Sequence, residues 1–470
     1  MFPDELKCAE IAPAYKKKNK LHKENHRPIS NLTSISKVIE GIMGDQMRSY
    51  MSKKLSDYLA AYRKGYSCEQ VLMKVIEDWR TALDQNEYVG CILMDLSKAF
   101  DSVPHALVIS KLKEYGMSIN TCEMMKSYLT NRKQRVKLGD VRSEWRVMER
   151  GVPQGSVIGP LIFNIFMNDL FYFITVCDLY NYADDNSIAK HDKSLDIVKD
   201  SLELASLDAV IWFMQNYMEA NADKFQAILM SRNDQQTVVF NVNGTLIQSE
   251  KCVKLLGVQI DTKLLFNDHI STICKRAAGQ LKAMYRLPKV LSIESKLKMY
   301  SAFIMSNFIY CNLVWHACGL IGARNIIGQT NGFKIERIQE RCLRYIYEDF
   351  NSSFSILLKK ANKSSMFLIR IRKLAHYVHK VLQGEVPMFM SNMYNVHRTP
   401  YNMRDNFKID LIDFNTLTYG KRSLKYEGAW LYNNLPCDLK VLDTIQFKAA
   451  MNVWEGPQCN CGECILCNAK

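Results

Sequence analysis

Apolar and polar positions along the chain fall into registers that predict a mixture of helices and strands. From Val71 to Leu83 the apolar residues recur three and four apart, which predicts a helix buried on one face. Cys91 to Leu96 is a short apolar run interrupted only by Asp95, the pattern of a strand covered on both faces that presents a carboxylate near its end. Tyr180 to Ala189 predicts two strands around a tight turn at Asp184-Asp185, because Asp tolerates the backbone angles that turns demand. Between these segments, Gly151 to Gly159 has the glycines and proline of a loop, and Leu161 to Phe173 follows as an apolar helix. Further on, Asn267 to Leu287 sets Ile270, Ile273, Cys274, Ala277, Leu281 and Met284 on one helical face. In Lys334 to Ile346 one face carries Ile335, Ile338, Cys342 and Ile346 while Arg337, Arg341 and Arg344 stand on the other, so this helix packs one way and offers cations to nucleic acid the other. Past residue 380 the pattern weakens, Pro387, Pro400 and Pro436 mark breaks, and a smaller mixed module is expected.

Composition sharpens this picture in three places. The 470 residues, 48% of them hydrophobic, exceed what one core usually holds, so two or three packed units are expected, and no fixed repeat period suggests a solenoid. The net charge of +14 is regional: Lys263 to Lys380 holds 20 basic against 6 acidic residues, an excess equal to that of the whole chain, which favours a phosphate-bearing partner for this stretch over a merely solvated face. The fifteen cysteines are mostly scattered singly through apolar segments and no secretory signal opens the chain, so a reducing, intracellular setting is read and secretion is not. The uncharged run Met299 to Ala323 has the length of a membrane span, but Asn307, Asn312 and His316 interrupt it and a buried helix accounts for it better; no membrane is expected as a partner.

The chemistry sits on carboxylates. If one sheet sets the strand of Asp95 beside the hairpin of Asp184 and Asp185, three carboxylates meet at one edge. Such a group suits two Mg²⁺ ions, hard cations that take carboxylate and phosphate oxygens and promote in-line phosphoryl transfer. Taken alone, Tyr-Ala-Asp-Asp at Tyr182 to Asp185 is more often a polar turn.

It does not stand alone. NHRPIS at Asn25 to Ser30, LMDLSKAFD at Leu93 to Asp101, GVPQGSVIGPLIF at Gly151 to Phe163, YADD at Tyr182 to Asp185, NADK at Asn221 to Lys224 and KLLGVQID at Lys254 to Asp261 follow one another in order. The set resembles the successive motifs of reverse transcriptases encoded by non-LTR (LINE-type) retrotransposons, nearest to the jockey-like group. Tyr300 to Trp315, Ile335 to Ile346 and Tyr401 to Pro436 extend the resemblance over nearly the whole chain.

The resemblance implies an α+β right-hand polymerase fold. Fingers would take residues 1–90 with part of 110–150, the palm 91–261, a basic helical thumb and connection 262–380, and a C-terminal module 381–470. It implies an RNA-directed DNA polymerase that binds template RNA, a DNA primer and dNTPs within a nuclear or cytoplasmic ribonucleoprotein. Asp95, Asp184 and Asp185 match the family's metal-binding carboxylates, and the Leu96 carbonyl matches an additional contact. Phe100 matches the bulky residue beneath the incoming sugar, where a ring collides with a 2′-hydroxyl, with a core aromatic as the lesser alternative. Gln154 matches a glutamine that touches the incoming nucleotide. Lys16, interchangeable in the motif with Lys17 and Lys18, and Arg27 match cations of the fingers that hold the triphosphate. Lys224 matches a lysine placed to protonate pyrophosphate, with a surface lysine as the alternative. Leu255 to Val258 matches the strand that grips the primer end and is given no chemistry.

The tail Cys459, Cys461, Cys464 and Cys467 has partly zinc-like spacing, yet it lacks the long separation between two ligand pairs, so Zn²⁺ binding and exposed free thiols both stay open. Ala61-Tyr62-Arg63 stands where the family usually has Gly-Phe-Arg, and Ile158 where it has Leu. The motifs begin within thirty residues of Met1, which leads to the expectation that an endonuclease activity is supplied elsewhere. The rival reading is an inactive or repurposed remnant that only binds RNA or RNA-DNA duplex.

Overall fold

The computed structural model describes residues 1–16, 19–221, 224–232, 237–287, 291–315, 331–396 and 407–456. Its centre is an antiparallel sheet in the order Gln226–Met230, Tyr88–Ser97, Asp185–Asp192, Asp178–Tyr182, with the short strand Glu219–Ala220 pairing to the far end of Tyr88–Ser97. Alternate side chains of a strand point to opposite faces, so a run that is apolar at nearly every position has to be covered twice. Val89, Cys91 and Leu93 enter one apolar core and Ile92, Met94 and Leu96 another.

The first core contains the helix Cys68–Asp84 and continues into the helices of the second half of the chain. The second contains Gly159–Met167 and Leu195–Gln215. The latter helix lies so close to the sheet that a Cβ on Gly90 would stand 2.8 Å from Val198 Cγ1, and glycine is what permits the approach. A second sheet runs in the order His26–Asn31, Cys8–Tyr15, Lys133–Leu138, Val141–Arg142, with Arg146–Val147 beside Lys133–Leu138.

The helices expected over Val71–Leu83 and Asn267–Leu287 form as Cys68–Asp84 and Asn267–Tyr285, and the second buries all six residues of its apolar stripe. Three expectations need correction. The helix expected over Leu161 to Phe173 divides into Gly159–Met167 and Leu170–Phe173, where the Phe166 carbonyl accepts from Lys111 Nζ (2.8 Å) and the Asn168 side chain is bonded to distant residues. It accepts from the Ser56 amide (2.7 Å) and donates to the Lys54 carbonyl (3.1 Å) and the Tyr115 hydroxyl (2.9 Å). Leu255 to Val258 is a turn between strands Cys252–Leu255 and Val258–Asp261, with Leu256 and Gly257 both at positive φ (44° and 85°). The described part of the C-terminal region is helical, with strand-like pairing only at the bridge between Val396 and Ile409.

Those C-terminal helices, Leu424–Asn433 and Thr444–Val453, pack on Met366–Leu382. They belong to the same core as the central sheet. Asp84, at the end of the helix Cys68–Asp84, ties them in by accepting from the Asn415 and Thr416 amides (2.9 and 2.8 Å) and the Thr416 hydroxyl (2.6 Å). In the uncharged run, Ile293–Met299 continues through a π-helical turn at Tyr300–Met305 into Ser306–Ile309 and buries Tyr300, Ile304 and Phe308. Among the described residues no helix is long and apolar enough to cross a membrane.

Candidate active site

The site is assembled at one end of the central sheet. Asp95, near the end of Tyr88–Ser97, is the register partner of Asp185, the first residue of Asp185–Asp192. Directly opposed residues of antiparallel strands project to the same face with Cβ atoms roughly 5 Å apart. The turn between the hairpin strands is Ala183-Asp184 rather than Asp184-Asp185, since Tyr182 and Asp185 already pair across it.

Ala183, not an aspartate, adopts the left-handed conformation, at φ 58°. Its carbonyl is held by the side-chain amide of fully buried Asn181 (2.9 Å), which also donates to Asn186 Oδ1 (2.8 Å), while Asn186 donates to the Asp184 carbonyl (3.2 Å). The short hairpin is thus locked from beneath by two asparagines that the sequence reading did not single out. Their only sequence signal was a pair of Asn residues flanking the turn within an apolar hairpin.

The three carboxylates act on one another. The Asp185 side chain keeps a path to solvent, yet the surrounding protein desolvates it, and the charges of Asp184 and Asp95 add to that. Together they push its pKa up to about 6, while Lys16 acts in the opposite direction. Lys224 Nζ lies 3.2 Å from Asp95 Oδ2, so the lysine expected beside pyrophosphate contacts a carboxylate of the triad in this structure. Leu96 buries its side chain and pairs its backbone with Ala220.

Phe100 stacks on Phe163 with ring centroids 4.3 Å apart, and Tyr62 meets it edge-on at 6.0 Å. Tyr62 itself senses both Asp184 and Arg27: burial and Asp184 raise its pKa and Arg27 opposes them. The sequence reading noted Tyr62 only as a departure from a family phenylalanine; the structure places it between a carboxylate of the turn and a cation of the outer sheet. Lys16 and Arg27 are both exposed, with the Lys16 amide donating to the Asn25 carbonyl (2.8 Å).

Gln154 donates its side-chain amide to Asp101 Oδ1 (2.9 Å), and its carbonyl accepts from the Ser30 amide (2.7 Å). Burial raises the Asp101 pKa while the Gln154 bond lowers it. Gly155 is at φ 122°, and a Cβ there would lie 2.8 Å from the Ser30 carbonyl oxygen. Beneath this loop, wholly buried Glu40 accepts from the Val157 amide (2.6 Å) and the Ser36 hydroxyl (3.1 Å). Asp101, the last residue of the motif LMDLSKAFD, and Glu40, outside the motifs, were given no role from the sequence; both act by holding the loop.

Arg337 and Arg341 are exposed on the helix Asn331–Tyr347, whereas Arg344 turns inward to Glu340 (2.6 Å) and the Phe350 carbonyl (2.7 Å). The shared cationic face of three arginines is therefore reduced to two. Cys459, Cys461, Cys464 and Cys467 lie outside the described residues.

The residues suit divalent cations by donor chemistry: hard carboxylate oxygens gather with mutual repulsion that bound cations would relieve. Among the described residues no three His, Cys, Asp or Glu side chains converge into a ready-made metal cage. The arrangement offers phosphoryl-transfer chemistry: carboxylate charge to hold cations, with the basic side chains of Lys16 and Lys224 acting on the same carboxylates.

The family model described as reverse transcriptase (RNA-dependent DNA polymerase) matches residues 15–260, more than half of the chain. Among curated proteins, the chain is 26% identical over 366 residues to the probable RNA-directed DNA polymerase from transposon BS of Drosophila melanogaster, covering 73% of this chain and 39% of that protein. It is likewise 26% identical over 359 residues to the RNA-directed DNA polymerase from mobile element jockey of Drosophila funebris, covering 73% and 38%. The chain spans about two-fifths of the length of these relatives. Among solved structures, a telomerase from Candida tropicalis bound to a fragment of telomeric RNA gives a TM-score of 0.43 at 13% identity, covering 82% of this chain and 59% of that one, a likeness too distant to argue from. Motif order and family match together establish that the chain belongs to the reverse transcriptase (RNA-dependent DNA polymerase) family and has that family's α+β right-hand fold.

Proposed function

We propose that the chain is an RNA-directed DNA polymerase that extends a DNA primer on an RNA template by two-metal phosphoryl transfer. The observation that carries this reading is the opposition of Asp95 and Asp185 across the sheet with Asp184 on the adjoining turn. Asp95, Asp184 and Asp185, with the Leu96 carbonyl, would hold two Mg²⁺ ions, whose chemistry there would be activation of the primer hydroxyl and neutralisation of the departing pyrophosphate.

The remaining roles fall to the chain's own groups. Lys16 and Arg27 hold the triphosphate from the fingers side. Lys224, paired with Asp95 in this structure, would supply the ammonium that donates a proton to pyrophosphate. Phe100, fixed from behind by Phe163, presents a ring to the sugar, so a 2′-hydroxyl is refused by collision. Gln154, with Asp101 orienting its amide, contacts the incoming nucleotide. Arg337 and Arg341, in the basic stretch after residue 262, grip the RNA-DNA duplex through phosphates, independently of sequence. A ribonucleoprotein setting in nucleus or cytoplasm completes the proposal, with Zn²⁺ and exposed free thiols the two alternatives at the Cys tail.

Primer extension on an RNA template with dNTPs and Mg²⁺ tests it. Synthesis by the wild type, abolished by EDTA and by Asp184→Ala, is expected. If the wild type is as silent as Asp184→Ala while both still shift a labelled duplex, the remnant reading replaces this one.

A further inference from the structure

The helix Leu195–Gln215 covers one face of the central sheet with Val198, Leu202, Ala205, Ala209 and Phe213, all buried. Its opposite face carries a second stripe. Ile197, Leu204 and Ile211 are spaced seven apart, with Asp200, Leu207 and Met214 at the intervening positions, which is the a and d pattern of a coiled-coil seam. Ile197 is 48% exposed, Leu204 50% and Met214 67%, although side chains of this size at seam positions normally meet a partner helix. Leu204 and Leu207 also form one wall of an open cleft of about 450 Å³ whose other wall is Asn241 and Gly244. Leu246, the register partner of Asn241, is 71% exposed on that hairpin.

Charge identifies the kind of occupant. The positions that flank a coiled-coil seam, e and g, set partner choice through ion pairs. Here they include Asp196, Glu203 and Asp208, and none is basic, on a chain whose net charge is +14. Lys199 lies outside the flanks and pairs with Glu203 at 3.9 Å. Nucleic acid is repelled by such a rim. A second copy of the same face would set acid against acid.

We propose that this outward face is a docking groove for a basic amphipathic helix, with apolar residues at a and d and Lys or Arg at e and g. The groove lies on the helix face turned away from the central sheet, so its occupancy is separate from polymerase chemistry. The partner helix would lay its apolar stripe along Ile197, Leu204, Ile211 and Met214 and place cations against Asp196 and Asp208, since Glu203 already accepts from the Asn241 amide (2.8 Å) and pairs with Lys199.

The probe is a synthetic fluorescent heptad-repeat helix with Leu at a and d and Lys at e and g, titrated with the full chain and read by fluorescence anisotropy. Binding with a Kd on the order of micromolar is expected, weakened at least roughly tenfold by Leu204→Glu with Ile211→Glu, and also by Asp196→Lys with Asp208→Lys. Primer extension or, for a silent chain, the circular-dichroism melt serves as the folding control and is expected to stay unchanged in both double variants. The charge-reversal pair leaves the apolar stripe intact, so it decides the matter even if the first pair misfolds. Equal binding of a Glu-flanked peptide, equal binding to the charge-reversed chain, no binding of the Lys-flanked peptide, or self-association of the chain lost on Leu204→Glu would each overturn the proposal.

Discussion

Asp95 and Asp185, ninety positions apart in the chain, stand opposite each other as partners in the central sheet, and the charge of Asp95 contributes to raising the pKa of Asp185 to about 6. Between like charges this pairing is repulsive. Carboxylates held together against their own charge are what a divalent cation stabilises.

Asp185→Asn separates stability from function. Removing one of the opposed charges leaves the fold at least as stable, because the amide relieves repulsion without changing shape. Nucleotide addition, which needs the charge, falls by on the order of 10³-fold or more. A thermal melt shows an unchanged or higher midpoint, and primer extension shows the loss; a lowered midpoint contradicts the electrostatic account.

Phe163→Ala is expected to act on sugar selection from a distance. Phe163 is fully buried and stacks on Phe100. Truncation costs about 3–5 kcal/mol of stability and lets the Phe100 ring retreat. The ratio of kcat/KM for dNTP over rNTP should fall by roughly tenfold or more, and Phe100→Val should lower it further. An unchanged ratio in Phe100→Val removes Phe100 from sugar selection.

Gly155→Ala introduces a Cβ against the Ser30 carbonyl at a backbone angle that other residues rarely adopt. The loop must shift, and Gln154 with it, since its carbonyl is bonded to the Ser30 amide. KM for dNTPs should rise about tenfold with destabilisation of roughly 1–3 kcal/mol. Gly139→Ala, where nothing lies within 4 Å, is the control for a positive-φ glycine in open space.

His269 makes stability depend on pH. It is buried beside Trp315, its Nδ1 accepts from the Gln259 amide (3.3 Å), and burial together with Arg276 and Lys254 lowers its pKa to about 4. The unfolded chain therefore binds this proton more readily than the folded one. The contribution is fully present above the unfolded value near 6.5 and is lost as pH falls from there towards 4. Urea midpoints measured from pH 7 to 4.5 should drop more steeply in the wild type than in His269→Phe; parallel slopes would remove His269 as the cause.

The apolar helix stripes and the doubly covered strand were legible because they depend on local spacing. Any stretch with six apolar positions on one face, as in Asn267–Tyr285, has to bury that face somewhere. The break at Asn168 was not legible, since the groups bonded there belong to Lys54, Ser56 and Tyr115, residues more than fifty positions away. The turn was displaced by one residue for a similar reason. Propensity favours an aspartate in the left-handed position, but Asn181 and Asn186 clasp Ala183 and Asp184 from below and override it.

The order and chemical character of the motifs, and with them the family, were determined by the sequence alone, because residue types and intervals are local properties of the chain. Only the tertiary structure decided that Asp95 faces Asp185, that Lys224 rests on Asp95, that Arg344 turns inward, and that Asp101 and Glu40 hold the loop. Those relationships are distances between groups far apart in the chain. They follow from how sheet register and packing close in space, which spacing along a strand or helix does not encode.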